Sequence, residues 1–245
     1  MLHTEFIVLA RSPQGIYMKI RSLCAIAALL VSPLTQAAFV TIQDISGVFS
    51  QASFGQTPVD IRIGATTQLV RPDLLDITTD AQIGDIFSQH VGAQNIVNFY
   101  FIDTISACGG QISVNIIGCG ELPGQDFVVE SVWAANTTIP AGGNITFGIQ
   151  LLAHELGHNL GLDHRPGNDL MNASINGFQD LDAAEVATIL GSPLVQTDAL
   201  TGRRFIQINP VLVVSANVPE PPTLLLLLMG LVFAGMRLRK HRRLG

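Results

Sequence analysis

Apolar and polar positions alternate along Phe39–Ile45 and Val59–Ile63, and β-branched residues fill both runs, which predicts two short strands. Over Leu75–His90, Ile77, Ile83, Ile86 and Phe87 recur at roughly helical spacing behind early Asp residues, which predicts an amphipathic helix. Asn95–Ile102 is almost continuously apolar and reads as a central strand. Gln111–Ile117 and Phe127–Trp133 are two further strand candidates, separated by the turn-rich Gly118–Gln125. Gly142-Gly143-Asn144 breaks the chain before an apolar helix from about Thr146 to Leu160, and a last helix is predicted over Leu181–Leu190 with Asp180 as its cap. Helix, strands and helix in this order predict an α+β fold, a sheet packed between helices. No internal repeat and no charge run or low-complexity linker divides Ala38 to Val214, so this body reads as one domain.

The two ends follow a different pattern. Lys19 and Arg21 precede an apolar run from Leu23 to Leu34, then Thr35-Gln36-Ala37-Ala38. A charged start, a short apolar stretch and a small-residue site read as a signal region over residues 1–37, cleaved after Ala37. Met18 is a more ordinary start for such a segment than Met1. At the other end Val218-Pro219-Glu220-Pro221-Pro222 leads into an apolar run of 13 residues, Leu224–Met236, and then Arg237, Arg239, Lys240, Arg242 and Arg243. As a helix that run rises about 20 Å, against roughly 30 Å of hydrocarbon, so it is a short transmembrane helix with a basic cytoplasmic end. The three parts together resemble the PEP-CTERM sorting signals of bacterial exported proteins. That resemblance, over residues 218–245, implies an export machinery and an exosortase-type processing enzyme as partners. It also implies a cell-envelope or extracellular destination, with the membrane as an anchor before processing. An ordinary single-span anchor has the same parts and equally leaves the body outside the cytoplasm.

Charge sharpens the picture of the body, residues 38–217. It holds five Arg and no Lys against 17 Asp and Glu, a formal charge of −12. A lysine-free acidic body repels phosphate backbones, which excludes nucleic-acid binding through a basic face. Cys24 leaves with the signal region, and Cys108 and Cys119 remain. In an oxidising compartment they have only each other as partners; two free buried thiols are the other reading.

The chemistry concentrates in His154-Glu155-Leu156-Gly157-His158-Asn159-Leu160-Gly161-Leu162-Asp163-His164. On a helix, residues four apart share a face, so His154 and His158 offer imidazole nitrogens to one metal ion. Glu155 lies about 100° around the helix from His154, in reach of a water on that ion without ligating it. Gly161 suits the left-handed conformation that ends helices, and a turn there returns His164 as a third ligand. Three protein ligands leave one position open, the mark of a catalytic rather than a structural zinc site.

Five fixed positions, H-E-x-x-H-x-x-G-x-x-H, resemble the metzincin zinc peptidases, and Asp169-Leu170-Met171-Asn172-Ala173 follows at the place of their Met-turn. The resemblance is diagnostic over Leu151–Asn172 and looser over Asn95–Trp133, which is similar to secreted reprolysin-like members. It implies one catalytic domain with a twisted mixed sheet, an active-site helix, a second long helix and Met171 beneath one catalytic Zn2+. It implies peptide or protein substrates, Glu155 as general base and acid, and an extended substrate along an edge strand, Gln111–Ile117 or Phe127–Trp133. The side-chain pocket is expected to be lined from Leu170 onward. Arg165, after the third histidine, leaves the subfamily open, and no tyrosine follows Met171 to serve as a further ligand. No cysteine-switch segment precedes the domain.

The remaining residues receive plainer readings. His90 is expected at the surface or as a helix cap, Trp133 in the core or on the cleft wall with the core preferred, and Asp180 and Asp182 as capping or solvated groups, with calcium binding left open. Two other functions fit the sequence: a catalytically silent surface or matrix binding protein on the same scaffold, and a zinc hydrolase acting on other bonds. Glu155 argues against the first, and the third histidine favours peptides over the second.

Overall fold

Every residue of Val97–Ile102 is buried, with odd and even positions packed into different clusters, so this segment must lie between two layers. In the computed structural model, which describes residues 44–216, it forms strand β4 (Ile96–Ile102) near the middle of a mixed sheet of seven strands. The others are β1 (Val59–Ile63), β2 (Thr67–Val70), β8 (Gly118–Gly120), β9 (Asp126–Glu130), β10 (Gln196–Thr197) and β11 (Arg204–Val214). The order is β1-β11-β4-β9-β8, with β2 continuing the β1 side of β11 and β10 pairing its start. β1, β2, β4, β9 and β11 run parallel, and β8 and β10 antiparallel. Two small ladders, β3 (Asp76–Ile77) with β5 (Thr104–Ile105) and β6 (Ala107–Cys108) with β7 (Gln111–Ile112), complete the strands.

Helix α3 (Phe147–Asn159) and helix α4 (Ala183–Gly191) cover one face of the sheet with a 3-10 turn, Ile45–Ser50. Leu151, Leu152, Leu156, Val186, Ile189, Val48 and Phe49 there meet Val97, Phe99, Phe101, Phe127 and Ile208. Ile83 and Ile86 of helix α1 (Asp80–Phe87) pack on the other face against Tyr100, Ile102, Val128 and Val211. A short helix α2 (Ser131–Ala134) ends β9. The fold class is therefore α+β, as the element order implies.

The structure corrects several boundaries. The helix expected over Leu75–His90 begins only at Asp80, because Asp76–Ile77 pairs with Thr104–Ile105 and Thr79 caps the helix through Gln82 N–H. Asp182, not Asp180, caps α4, in a capping box with Glu185, and among the described residues no helix besides α3 exceeds 9 residues, so a second long helix is not found there. The strand expected over Phe39–Ile45 lies mostly outside the described residues, and its last residue starts the 3-10 turn. Gln111–Ile117 contributes only two strand residues, exposed and outside the main sheet, while the edge strand β8 comes from the segment read as a turn. Phe127–Trp133 supplies an inner strand, not an edge, and its end coils into α2. Trp133 is 37% exposed and packs on Phe147 with ring centroids 5.0 Å apart, so it is a surface residue and not core.

The longest strand, β11, carries Pro210 within it, a residue that argues against a central strand because it cannot donate to a ladder. The structure resolves the conflict. Ile208 directs its carbonyl to Gly64 N–H, so residue 210, two further on, faces the same side. There the chain between β1 and β2 leaves the ladder open, and no donor is needed.

Cys108 and Cys119 form a disulfide with Cα atoms 5.8 Å apart, tying β6 to the edge strand β8. With the partners 11 positions apart in the chain, Cys108→Ser should cost about 3 kcal/mol in the chain-entropy description. For a domain of this size that lowers Tm by roughly 5–10 °C, measured by calorimetry beside the wild type.

Candidate metal centre

Helix α3 is set by Thr146, whose hydroxyl accepts from Ile149 N–H, and it ends in a Schellman turn. Leu162 N–H donates to Gly157 O at 2.9 Å and Gly161 N–H to His158 O at 2.9 Å, with Gly161 at φ +99°. Only glycine takes that conformation without strain. The turn reverses the chain so that His164 comes back towards His154 and His158.

The three imidazoles converge, their ligand atoms all within 4.8 Å of one another. His154 Nδ1–H donates to Leu170 O at 2.9 Å and His158 Nδ1–H to Leu162 O at 2.8 Å, since a carbonyl only accepts. Both rings therefore turn a bare Nε2 inward. The Nε2 atoms of His158 and His164 stand 3.2 Å apart. Tetrahedral bonds of about 2.0–2.1 Å to one ion place two nitrogens about 3.3 Å apart, so the donor set fits a metal ion. Burial pushes the pKa of His154 down to about 3, helped by the neighbouring His158, and burial likewise lowers that of His158. Both rings are neutral at pH 7, the form that ligates.

Met171 is fully buried. A Cβ on Gly157 would lie 2.5 Å from the Met171 sulfur, so the glycine between the two helical histidines lets the methionine lie against the helix. The loop bearing Met171 is held by Leu170 N–H to Asp180 O and by Arg165 N–H to Met171 O. Arg165 also reaches Asp182 at 2.6 Å and Glu185 at 3.0 Å, joining the loop of the exposed His164 to the start of α4. Gln150, one turn before His154, is fully buried and bonds Asn176 and Gly177. A cavity of about 340 Å³ beside His164 is lined by Arg165, Pro166, Gly167, Asn172 and Ala173. Past Met171, Asn172 and Ala173 contribute to this lining, whereas Leu170 and Met171 are wholly buried.

Glu155, next to His154 on the helix, lays its carboxylate against β8. Among the described residues no donor hydrogen-bonds its carboxylate, and it is only 6% exposed. Burial pushes its pKa up from 4.5 to about 8 without a cation nearby. A proton is then retained in the folded state that the unfolded chain releases. That contribution to stability is present below about pH 4.5 and is lost as pH rises through about 8. In metal-free protein, Glu155→Gln should be the more stable form at pH 8 by roughly 2–4 kcal/mol and nearly equal at pH 4. Urea melts of both proteins at the two pH values measure this; the histidine contributions cancel in the difference.

Sequence reasoning did not single out Gly118, Gly120, Gly157, Gln150 or Asn159. Asn159 donates to Glu121 O and Asp126 O, fastening the end of α3 to the β8–β9 turn. The helical spacing of Gln150, His154 and His158 is a signal that could have found the first of the polar pair. His90 is not a surface residue: its ring is 12% exposed and bonds Asp126 at 2.9 Å. Asp180 and Asp182 serve the loop and the cap rather than converging as ligands.

Residues 217–243 match the PEP-CTERM protein-sorting motif. The motif implies export to the cell envelope and processing by an exosortase-type enzyme. No curated protein and no solved structure matches the chain. Among the described residues no helix is long and apolar enough to cross a membrane; the apolar run Leu224–Met236 and the signal region lie outside them.

Proposed function

We propose that this chain is an exported zinc-dependent endopeptidase of metzincin type, with His154, His158 and His164 as metal ligands and Glu155 as the catalytic acid–base. The observation that carries the reading is the joint geometry of four residues. His154 and His158, both neutral, turn bare Nε2 atoms towards a point that His164 also reaches, and the same helix carries a carboxylate that no donor among the described residues engages. A binding-only scaffold has no use for that carboxylate.

When bound, a zinc ion supplies Lewis acidity, polarising a scissile carbonyl and lowering the pKa of water towards 7. The chain's own groups do the rest. Leu170 and Leu162 carbonyls hold the rings of His154 and His158 in one tautomer and orientation. Glu155 takes a proton from the attacking water and passes it to the leaving amine. Burial holds the Glu155 carboxyl up at about 8, and with a cation held by the histidines it would fall from that value and so could act as a base near neutrality. An extended peptide finds an unpaired edge at β8, which lies beside Glu155, and the cavity beyond His164 receives a side chain.

Incubation of the purified, zinc-loaded chain with casein tests the reading. New peptide termini, absent when a chelator is added and restored by zinc, support it; intact casein with a fully loaded site counts against peptidase activity.

A further inference from the structure

Gly118 and Gly120 of β8 are the side-chain-free positions that face α3, while Cys119 between them turns to the opposite face and into the disulfide. Neither glycine has a positive φ, so neither is required by backbone conformation. Space is the reason left. A Cβ at Gly118 would lie 2.4 Å from Glu155 Oε1, 2.8 Å from its Cδ and 3.0 Å from its Cγ. A Cβ at Gly120 would lie 3.2 Å from Glu155 Oε2 and 3.2 Å from the Glu155 carbonyl. The edge strand thus forms a bare wall along the whole carboxylate arm.

We propose that Gly118 and Gly120 are positioning residues for Glu155, fixing its carboxylate by contact with a strand that carries no side chain on that face. The inference rests on the hydrolase reading for its kinetic consequence and on geometry alone for its structural one. No hydrogen bond from the described residues orients the carboxylate, so its place is set by the surfaces around it. The two contacts differ in kind. At Gly118 the atoms that must yield belong to the far end of a side chain, so a methyl group there swings Glu155 aside with little cost to folding. At Gly120 one of the atoms is backbone and the clearance is larger, so the displacement is smaller.

The test compares zinc-loaded full-length wild type, Gly118→Ala and Gly120→Ala by crystal structure, by kcat and KM on a casein-derived peptide, and by the visible spectrum of the cobalt-substituted proteins. The expected result for Gly118→Ala is a carboxylate moved by about 1 Å, kcat lowered about a hundredfold and KM little changed. The cobalt spectrum keeps its three-histidine signature. Gly120→Ala should lose less than about tenfold. A Gly118→Ala carboxylate that stays in place, or a kcat within about twofold of wild type, overturns the proposal. So does an unshifted carboxylate with unchanged kcat in Gly120→Ala, which decides the matter should Gly118→Ala not fold. If the wild type cleaves nothing, the peptidase reading fails, and the crystal structures still decide what the glycines do.

Discussion

Glu155→Gln lowers peptide hydrolysis by about a thousandfold or more while the protein keeps its full complement of zinc. General acid–base groups contribute about 10²–10⁴ in rate, and in the proposed mechanism Glu155 serves both proton transfers. Gln has the same shape and fits the same wall of Gly118 and Gly120, so the ligands and the fold are undisturbed. It removes the base alone. The measurement is kcat by peptide cleavage with zinc content determined on the same samples. A variant with normal zinc and near-normal kcat would mean that proton transfer runs through another group.

His158→Ala has a different signature, because it removes both activity and stability. Losing a partner behind a ligand weakens metal binding 10–100-fold, so losing the ligand itself should weaken it by more than a hundredfold. Metal bound only by the folded state stabilises it by about 4 kcal/mol at a thousandfold excess over Kd. The variant and the chelated wild type should therefore both melt roughly 10 °C below the loaded wild type. Adding chelator to His158→Ala should change little further. Calorimetry with and without chelator checks this; a variant that still shows the full chelator-sensitive shift contradicts the assignment of His158 as a ligand.

Helix α3 and its histidines are legible in the sequence because helical periodicity and ligand spacing coincide there, and Thr146 and Gly161 mark its two ends. The central strand β4 is legible because burial on both faces leaves no polar position between Phe99 and Ile102. β11 is not, since Pro210 breaks the pattern and only the gap between β1 and β2 makes it tolerable. β8 is the least legible element. Gly-Cys-Gly has little strand propensity, and its glycines answer to the side chain of Glu155, 37 and 35 residues further along the chain. The same long-range dependence hides Gln150 and Asn159, whose partners lie on loops that no local pattern predicts. Asp182 supplants Asp180 as the cap for a local reason, because its partner in the capping box, Glu185, lies three residues on.

The central claim is tested most directly by titrating metal-depleted protein with zinc while the rate of casein cleavage is followed. The predicted result is a rate that rises in proportion to added zinc and saturates at about one ion per chain. No uptake of zinc, or a chain filled with one equivalent that leaves casein intact, would contradict it.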